Sequence, residues 1–173
     1  KRSERPNSEA QLILAEVINR PWAFAAAHPE AVLSTDQHKR ADSMLSRYMD
    51  GEPLPYVLGH WEFFGLELVV NPAVLIPRPE TEHLVEIALS WLRVHPDQRQ
   101  VADVGTGSGC IAVALAYHLP DVLVTALDIS AEALAVARTN IERLGLAERV
   151  DLVQSDLVEK LPEPVDVVCA NLP

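Results

Sequence analysis

At 173 residues the chain has room for one ordinary domain or two small ones, and its 49% apolar and 23% charged residues mark a globular protein, not a disordered one. A formal net charge of −11 argues against a protein that lives by gripping nucleic-acid phosphates. No apolar run approaches the roughly 20 residues of a membrane span.

Residues 1–58 read as helical, a small N-terminal domain for docking a substrate. Leu12, Leu14, Val17 and Ile18 form a partial helical stripe, with Ser8 and Gln11 spaced as a cap. Pro21 and Pro29 punctuate a short segment, and residues 43–49 give another amphipathic turn or two before Gly51 and Pro53. His28 and His38 stand alone and read as surface or packing residues. Residues 59–78 change character. Trp61, Phe63, Phe64, Leu66, Leu68, Val69 and Val70 favour strands, with Gly65 and Asn71-Pro72 as turn signals, which predicts a β-hairpin linking two domains. A helix begins near Glu80, with Glu80 and Glu82 in a first turn whose dipole favours them. Beyond Pro96, strands at 101–104, 122–127, 150–153 and 165–170 alternate with helices at 110–118 and 131–144. That order predicts a parallel sheet with right-handed crossovers across a domain at 79–173. Cys110 and Cys169 form no metal-type cluster and read as free thiols of a reducing cytoplasm. Lys1 implies that the natural start is missing or trimmed, and no signal peptide precedes the first helix.

The chemistry concentrates at strand ends. Gly105-Thr106-Gly107-Ser108-Gly109 is a turn between strand and helix, where glycines let backbone approach a ligand and the helix offers free N–H groups. A dinucleotide loop would read G-x-G-x-x-G, but Cys110 holds the place of the last glycine. With Asp103 ahead of it, the pattern resembles the first motif of S-adenosylmethionine-dependent methyltransferases. Asp128 ends the next strand, where a carboxylate can accept both hydroxyl hydrogens of a ribose; alternatively, Asp128 or Ser130 caps the helix at Ala131. Asp156 follows the third strand, placed to meet an adenine amino group or simply solvated in a loop. Asn171-Leu172-Pro173 follows the fourth. In methyltransferases of amide or exocyclic amino nitrogens, this position carries an Asn or Asp whose side chain accepts the nitrogen's hydrogens and turns its lone pair toward the methyl donor. The plain alternative is a strand-to-turn ending.

Gly51-Glu52-Pro53-Leu54-Pro55-Tyr56-Val57-Leu58-Gly59, Glu62-Phe63-Phe64-Gly65-Leu66 and Leu75-Ile76-Pro77-Arg78-Pro79-Glu80-Thr81-Glu82 closely resemble the HemK/PrmC family of protein-(glutamine-N5) methyltransferases. The resemblance covers nearly the whole chain and is weakest over the first 40 residues. It implies a helical N-terminal domain, a hairpin linker, and a Rossmann-like catalytic domain using S-adenosyl-L-methionine. It also implies a substrate, the glutamine of the Gly-Gly-Gln loop in class I peptide chain release factors. By resemblance, Gly105, Thr106, Gly107, Ser108, Gly109, Asp128, Asp156, Leu157 and Asn171 line the cofactor site. Asn171, Leu172 and Pro173 would clamp the substrate glutamine, with Arg78 and Thr81 bordering its pocket.

The family reads Asn-Pro-Pro-Tyr, whereas Leu172 stands second here. Asn-Leu-Pro also occurs in methyltransferases of RNA adenines, which keeps methylation of nucleic-acid amino groups as the alternative activity, and a non-enzymatic cofactor-binding scaffold as a third reading. The family's sheet has seven strands and the sequence accounts for four. The chain therefore reads as a fragment truncated after the fourth strand, leaving an apolar edge, binding cofactor weakly and catalysing little. The partner implied is a release factor, met by a cytoplasmic monomer without membrane or direct nucleic-acid contact.

Overall fold

The computed structural model describes residues 6–172, which separate into two units at the junction of Gly59 and His60. The first unit holds helices α1 (Pro6–Ile18), α2 (Trp22–Ala27), α3 (Thr35–Met49) and α4 (Leu54–Leu58). α1 begins at Pro6, ahead of the cap expected at Ser8, because proline's fixed φ suits a first helical turn and its missing N–H is not needed there. α3 begins at Thr35, well before the 43–49 stretch that its apolar pattern suggests. The reason is a reciprocal cap. The Ser34 hydroxyl accepts the Gln37 N–H at 3.3 Å, and the Gln37 side chain accepts the Ser34 N–H at 2.9 Å. α4 is a single turn set by Pro53 and closed by Gly59 at φ 84°. Ile13, Val17, Ala41, Met44, Leu54 and Val57 form the core of this unit.

The second unit opens with the hairpin of β1 (His60–Phe63) and β2 (Leu66–Val69). Its turn, Phe64-Gly65, has φ of 52° and 75°, the pair of positive values that a two-residue hairpin with matching strand twist demands. Phe63, Leu66 and Leu68 are buried in one core with α5 (Pro79–Val94) and α6 (Cys110–His118), which makes the hairpin a built-in part of this unit. α5 starts at Pro79, with Arg78 as the capping residue and no side-chain cap bond.

β3 (Gln100–Val104), β4 (Leu123–Asp128), β5 (Val150–Gln154) and β6 (Val167–Ala170) are all parallel, in the order β5-β4-β3-β6, with α7 (Ala131–Arg143) connecting β4 to β5. These elements follow the expected alternation, with ends displaced by a residue or two. α6 is buried from Ile111 to Ala116, because Ala112, Ala114 and Ala116 let it lie close among its neighbours. The order fixes the site. The chain steps outward from β3 to β5, then returns to place β6 on the other side of β3. Such a reversal opens a crevice at the carboxyl ends of the strands, where doubly wound sheets bind ligands. No helix of the described residues is long and apolar enough to cross a membrane.

Candidate functional site

A crevice of about 280 Å³ opens at that reversal. It is lined by Gly105 and Gly107 after β3, Asp128 to Ser130 after β4, Ser155 to Leu157 after β5, and Asn171 and Leu172 after β6. Ala73, Val74 and Leu75, from the segment that follows the hairpin, complete the wall.

The three glycines of the loop do different work. All have positive φ: 71° at Gly105, 55° at Gly107 and 80° at Gly109. A Cβ at Gly105 would lie 2.6 Å from Leu172 Cδ2, and one at Gly109 would lie 3.2 Å from Ala137 Cβ. Gly107 has nothing within 4 Å in that direction, so its missing side chain leaves room in the crevice. Four of the loop's N–H groups are already bonded within the protein. Those of Gly105 and Thr106 donate to the Leu127 carbonyl at 2.8 and 2.9 Å, that of Gly107 to Asp128 Oδ2 at 2.8 Å, and that of Gly109 to the Thr106 carbonyl at 2.8 Å. These bonds fold the loop upon itself.

Thr106, Ser108 and Gly109 lie buried beneath the loop and do not border the crevice. Thr106 serves Asp103, which is fully buried: its Oδ2 accepts the Thr106 hydroxyl at 2.6 Å and the Ala112 N–H at 3.1 Å, while Oδ1 has no partner. Burial pushes this carboxyl up to about 6; the two hydrogen bonds oppose the rise, and the nearby Asp128 charge adds to it. From an unfolded value of 3.8 to a folded value of about 6, the folded state holds the proton more tightly than the unfolded chain. Stability contributed by this group therefore falls as pH rises through that window, by about 3 kcal/mol, and stays level above it. Asp103→Asn should remove the slope. Denaturant unfolding of both proteins between pH 4 and pH 7 checks this, and parallel profiles would contradict it.

Asp128 uses one acceptor site of each carboxylate oxygen on the backbone. Its Oδ2 accepts the Gly107 N–H and its Oδ1 accepts the Ser130 N–H at 3.0 Å. Ser130 itself caps α7 by accepting the Ala133 N–H at 3.1 Å, which resolves the choice of cap in favour of Ser130. An ionised carboxylate has about four acceptor sites, so each oxygen keeps one for a ligand. Around it, Leu75, Ile129, Leu157 and Leu172 are half-exposed, an apolar rim with a few convergent polar groups, as in small-molecule sites. Leu157 sits at φ 45°, a conformation rare for a leucine, and Asp156 beside it is exposed.

Asn171 is tied to a residue far away in sequence. Its Nδ2 donates to Thr81 Oγ1 at 3.0 Å, and Thr81 is buried in the first turn of α5. The next residue, Glu82, accepts the Phe64 N–H of the hairpin turn at 3.0 Å. Thus the Arg78–Glu82 segment joins three elements. Arg78 contributes a backbone carbonyl, which accepts the Thr81 N–H at 2.9 Å; its side chain is exposed and Arg78 does not line the crevice. Pro173 lies outside the described residues. Sequence reading missed Ile129, Ser130, Ser155 and the 73–75 segment. The first three follow strand ends and could have been found by position, whereas the last comes into place only through the path of the hairpin. Among the described residues no cluster of three His, Cys, Asp or Glu could hold a metal ion.

The sequence matches the methyltransferase small domain over residues 82–173 and the PrmC N-terminal domain over residues 1–59. It is 44% identical to a release factor glutamine methyltransferase of Koribacter versatilis, over 97% of this chain and 60% of that protein. It is 40% identical to a release factor glutamine methyltransferase of Escherichia coli K12, over 89% of this chain and 54% of that protein. The chain thus spans less than two thirds of the length of these relatives. Among solved structures, human methyltransferase 10 domain containing protein is similar in fold, with a TM-score of 0.52 at 22% identity, over 76% of this chain and 62% of that one. A parallel sheet reversed at β3, a glycine loop folded on an acidic strand end, and the match over residues 82–173 lead to one assignment: the chain belongs to the methyltransferase small domain family, with a match to the PrmC N-terminal domain ahead of it.

Proposed function

We propose that the complete protein methylates the side-chain amide nitrogen of the glutamine in the Gly-Gly-Gln loop of class I peptide chain release factors, using S-adenosyl-L-methionine. The observation that carries this reading is Asn171 at the crevice mouth, with its amide nitrogen committed to Thr81 and its Oδ1 without a partner among the described residues. The residues present suit the cofactor. Asp128 keeps two acceptor sites for a pair of ribose hydroxyls, Gly107 leaves space, and Ile129 and Leu157 offer apolar surface for a flat heterocycle. Bound there, S-adenosylmethionine supplies an electrophilic methyl group on a sulfonium sulfur.

The chain's own part is orientation. A glutamine amide nitrogen is a poor nucleophile because its lone pair is delocalised into the carbonyl. Asn171 Oδ1 accepts one of its hydrogens, which turns the nitrogen and favours the positive charge it gains as it reacts. Thr81 anchors the Asn171 amide through its Nδ2, which leaves Oδ1 for the substrate. Leu172, packed over Gly105, shapes the floor beside it, and Pro173 would continue the clamp. Asp156 stands where an adenine amino group could be met. The protein acts in the cytoplasm as a monomer, in this reading, without membrane or direct nucleic-acid contact. Of the 25 acidic residues, 17 fall in residues 60–173 against 7 of the 14 basic ones, which disfavours a polyphosphate substrate in the catalytic unit.

The test is to incubate the complete protein with S-adenosylmethionine and a purified class I release factor, with total RNA and DNA offered in parallel. Mass spectrometry of the Gly-Gly-Gln peptide should find one added methyl on glutamine. Methyl groups on nucleic acid beside an untouched release factor would reverse the conclusion, and would make the Leu172 of Asn-Leu-Pro the decisive residue.

A further inference from the structure

Asn140 is 1% exposed on α7, yet none of its side-chain bonds stays within that helix. Its Oδ1 accepts the Val69 N–H at 2.7 Å, and its Nδ2 donates to the Val69 carbonyl at 3.0 Å and to the Ser108 carbonyl at 2.8 Å. One donor faces the oxygen and two carbonyls face the nitrogen, so the partners themselves fix the orientation of the amide. A buried amide is costly unless bonded, and an apolar residue would fill the same space without that demand. What the asparagine adds is a link between two segments that nothing else on α7 joins by hydrogen bonds.

Those two segments both lead into the lining of the crevice. Val69 ends β2, and the chain then passes through the Asn71-Pro72 turn into Ala73, Val74 and Leu75, which line the crevice. Ser108 belongs to the loop whose Gly105 and Gly107 line it as well. Beside Ser108, Gly109 lies so close to Ala137 of α7 that even a methyl group would crowd it at 3.2 Å. The loop is therefore pressed against α7 at one residue and hydrogen-bonded to it at the next.

We propose that Asn140 is a positioning residue that holds these two lining segments in place relative to each other, and so sets cofactor affinity without touching the cofactor. This rests on the reading of the crevice as an S-adenosylmethionine site. Asn140→Asp keeps the volume and the acceptor for Val69 but sets an oxygen against both carbonyls. In the complete protein it should weaken S-adenosylhomocysteine binding, measured calorimetrically, by about tenfold or more. Turnover at saturating cofactor should change less than about threefold, giving a KM effect rather than a kcat effect. Hydrogen exchange should quicken together in residues 69–75 and 105–109. Ile141→Ala, a core truncation on the same helix, should lower the melting temperature while leaving binding within about twofold. If the Asp variant does not fold, Asn140→Ser serves the same comparison. Affinity unchanged in the Asn140 variants, or lost equally in Ile141→Ala, would overturn the proposal. Wild-type protein that binds no S-adenosylhomocysteine would overturn the cofactor reading instead, and exchange that quickens in only one of the two segments would overturn the clamp itself.

Discussion

Asn171→Ala in the complete protein should lower kcat by roughly 10²–10³-fold, the usual loss when one preorganised polar group facing developing charge is removed. S-adenosylhomocysteine affinity should move less than about threefold, because the side chain acts on the substrate nitrogen. Thr81→Val offers the graded counterpart. It removes the hydroxyl that holds Asn171 Nδ2 at 3.0 Å but leaves the amide in place, so the loss should be about tenfold. Single-turnover rates with saturating release factor and cofactor measure both. A kcat within fivefold of wild type for Asn171→Ala would mean that the substrate amide is oriented by other groups.

The second large effect is expected at Asp128. Alanine there removes the acceptor of the Gly107 and Ser130 N–H groups and the two acceptor sites left for ribose hydroxyls. Hydrogen bonds to a charged group each contribute about 1.5–3 kcal/mol, so the loss of two should weaken S-adenosylhomocysteine binding by roughly 10²–10⁴-fold. Asp128→Asn should lose less, since one oxygen remains, although its NH₂ must then face a backbone N–H. Calorimetric titration of the three proteins separates these effects. Equal affinities for wild type and Asp128→Ala would remove this residue from the cofactor site.

How far these residues could be read beforehand depends on what the chain shows locally. Strands buried on both faces leave short, mostly apolar runs, which is why 101–104 and 122–127 stand out between helices despite Asp103 and Thr125. The hairpin announces itself through aromatic and β-branched residues around Gly65. α3 was harder: its first two turns, Thr35 to Arg40, are wholly polar, and only the Ser34-Gln37 spacing betrays the start. Within the site, ligand-facing positions at strand ends are visible because that is where parallel sheets expose side chains. Gly105, Gly107, Asp128, Asp156, Leu157, Asn171 and Leu172 do line a single crevice. Sequence could not separate Gly107, open to the crevice, from Thr106 and Ser108, which turn inward. Nor could it reveal Asn140, whose bonds to Val69 cross 71 residues of sequence and follow from no local pattern.

The strand order also bears on how the protein is made. β3, β4 and β5 are neighbours in synthesis as well as in space, so they can assemble in sequence as the chain leaves the ribosome. The crevice cannot form at that stage, because Asn171 and Leu172 arrive only when β6 pairs beside β3. A nascent chain stalled before Val167 would hold three paired strands and the glycine loop, yet lack one side of its ligand site. On the proposed reading of the crevice, cofactor capture would report that the fourth strand has docked, and ligand present during translation would favour chains that have completed that step over those that have not.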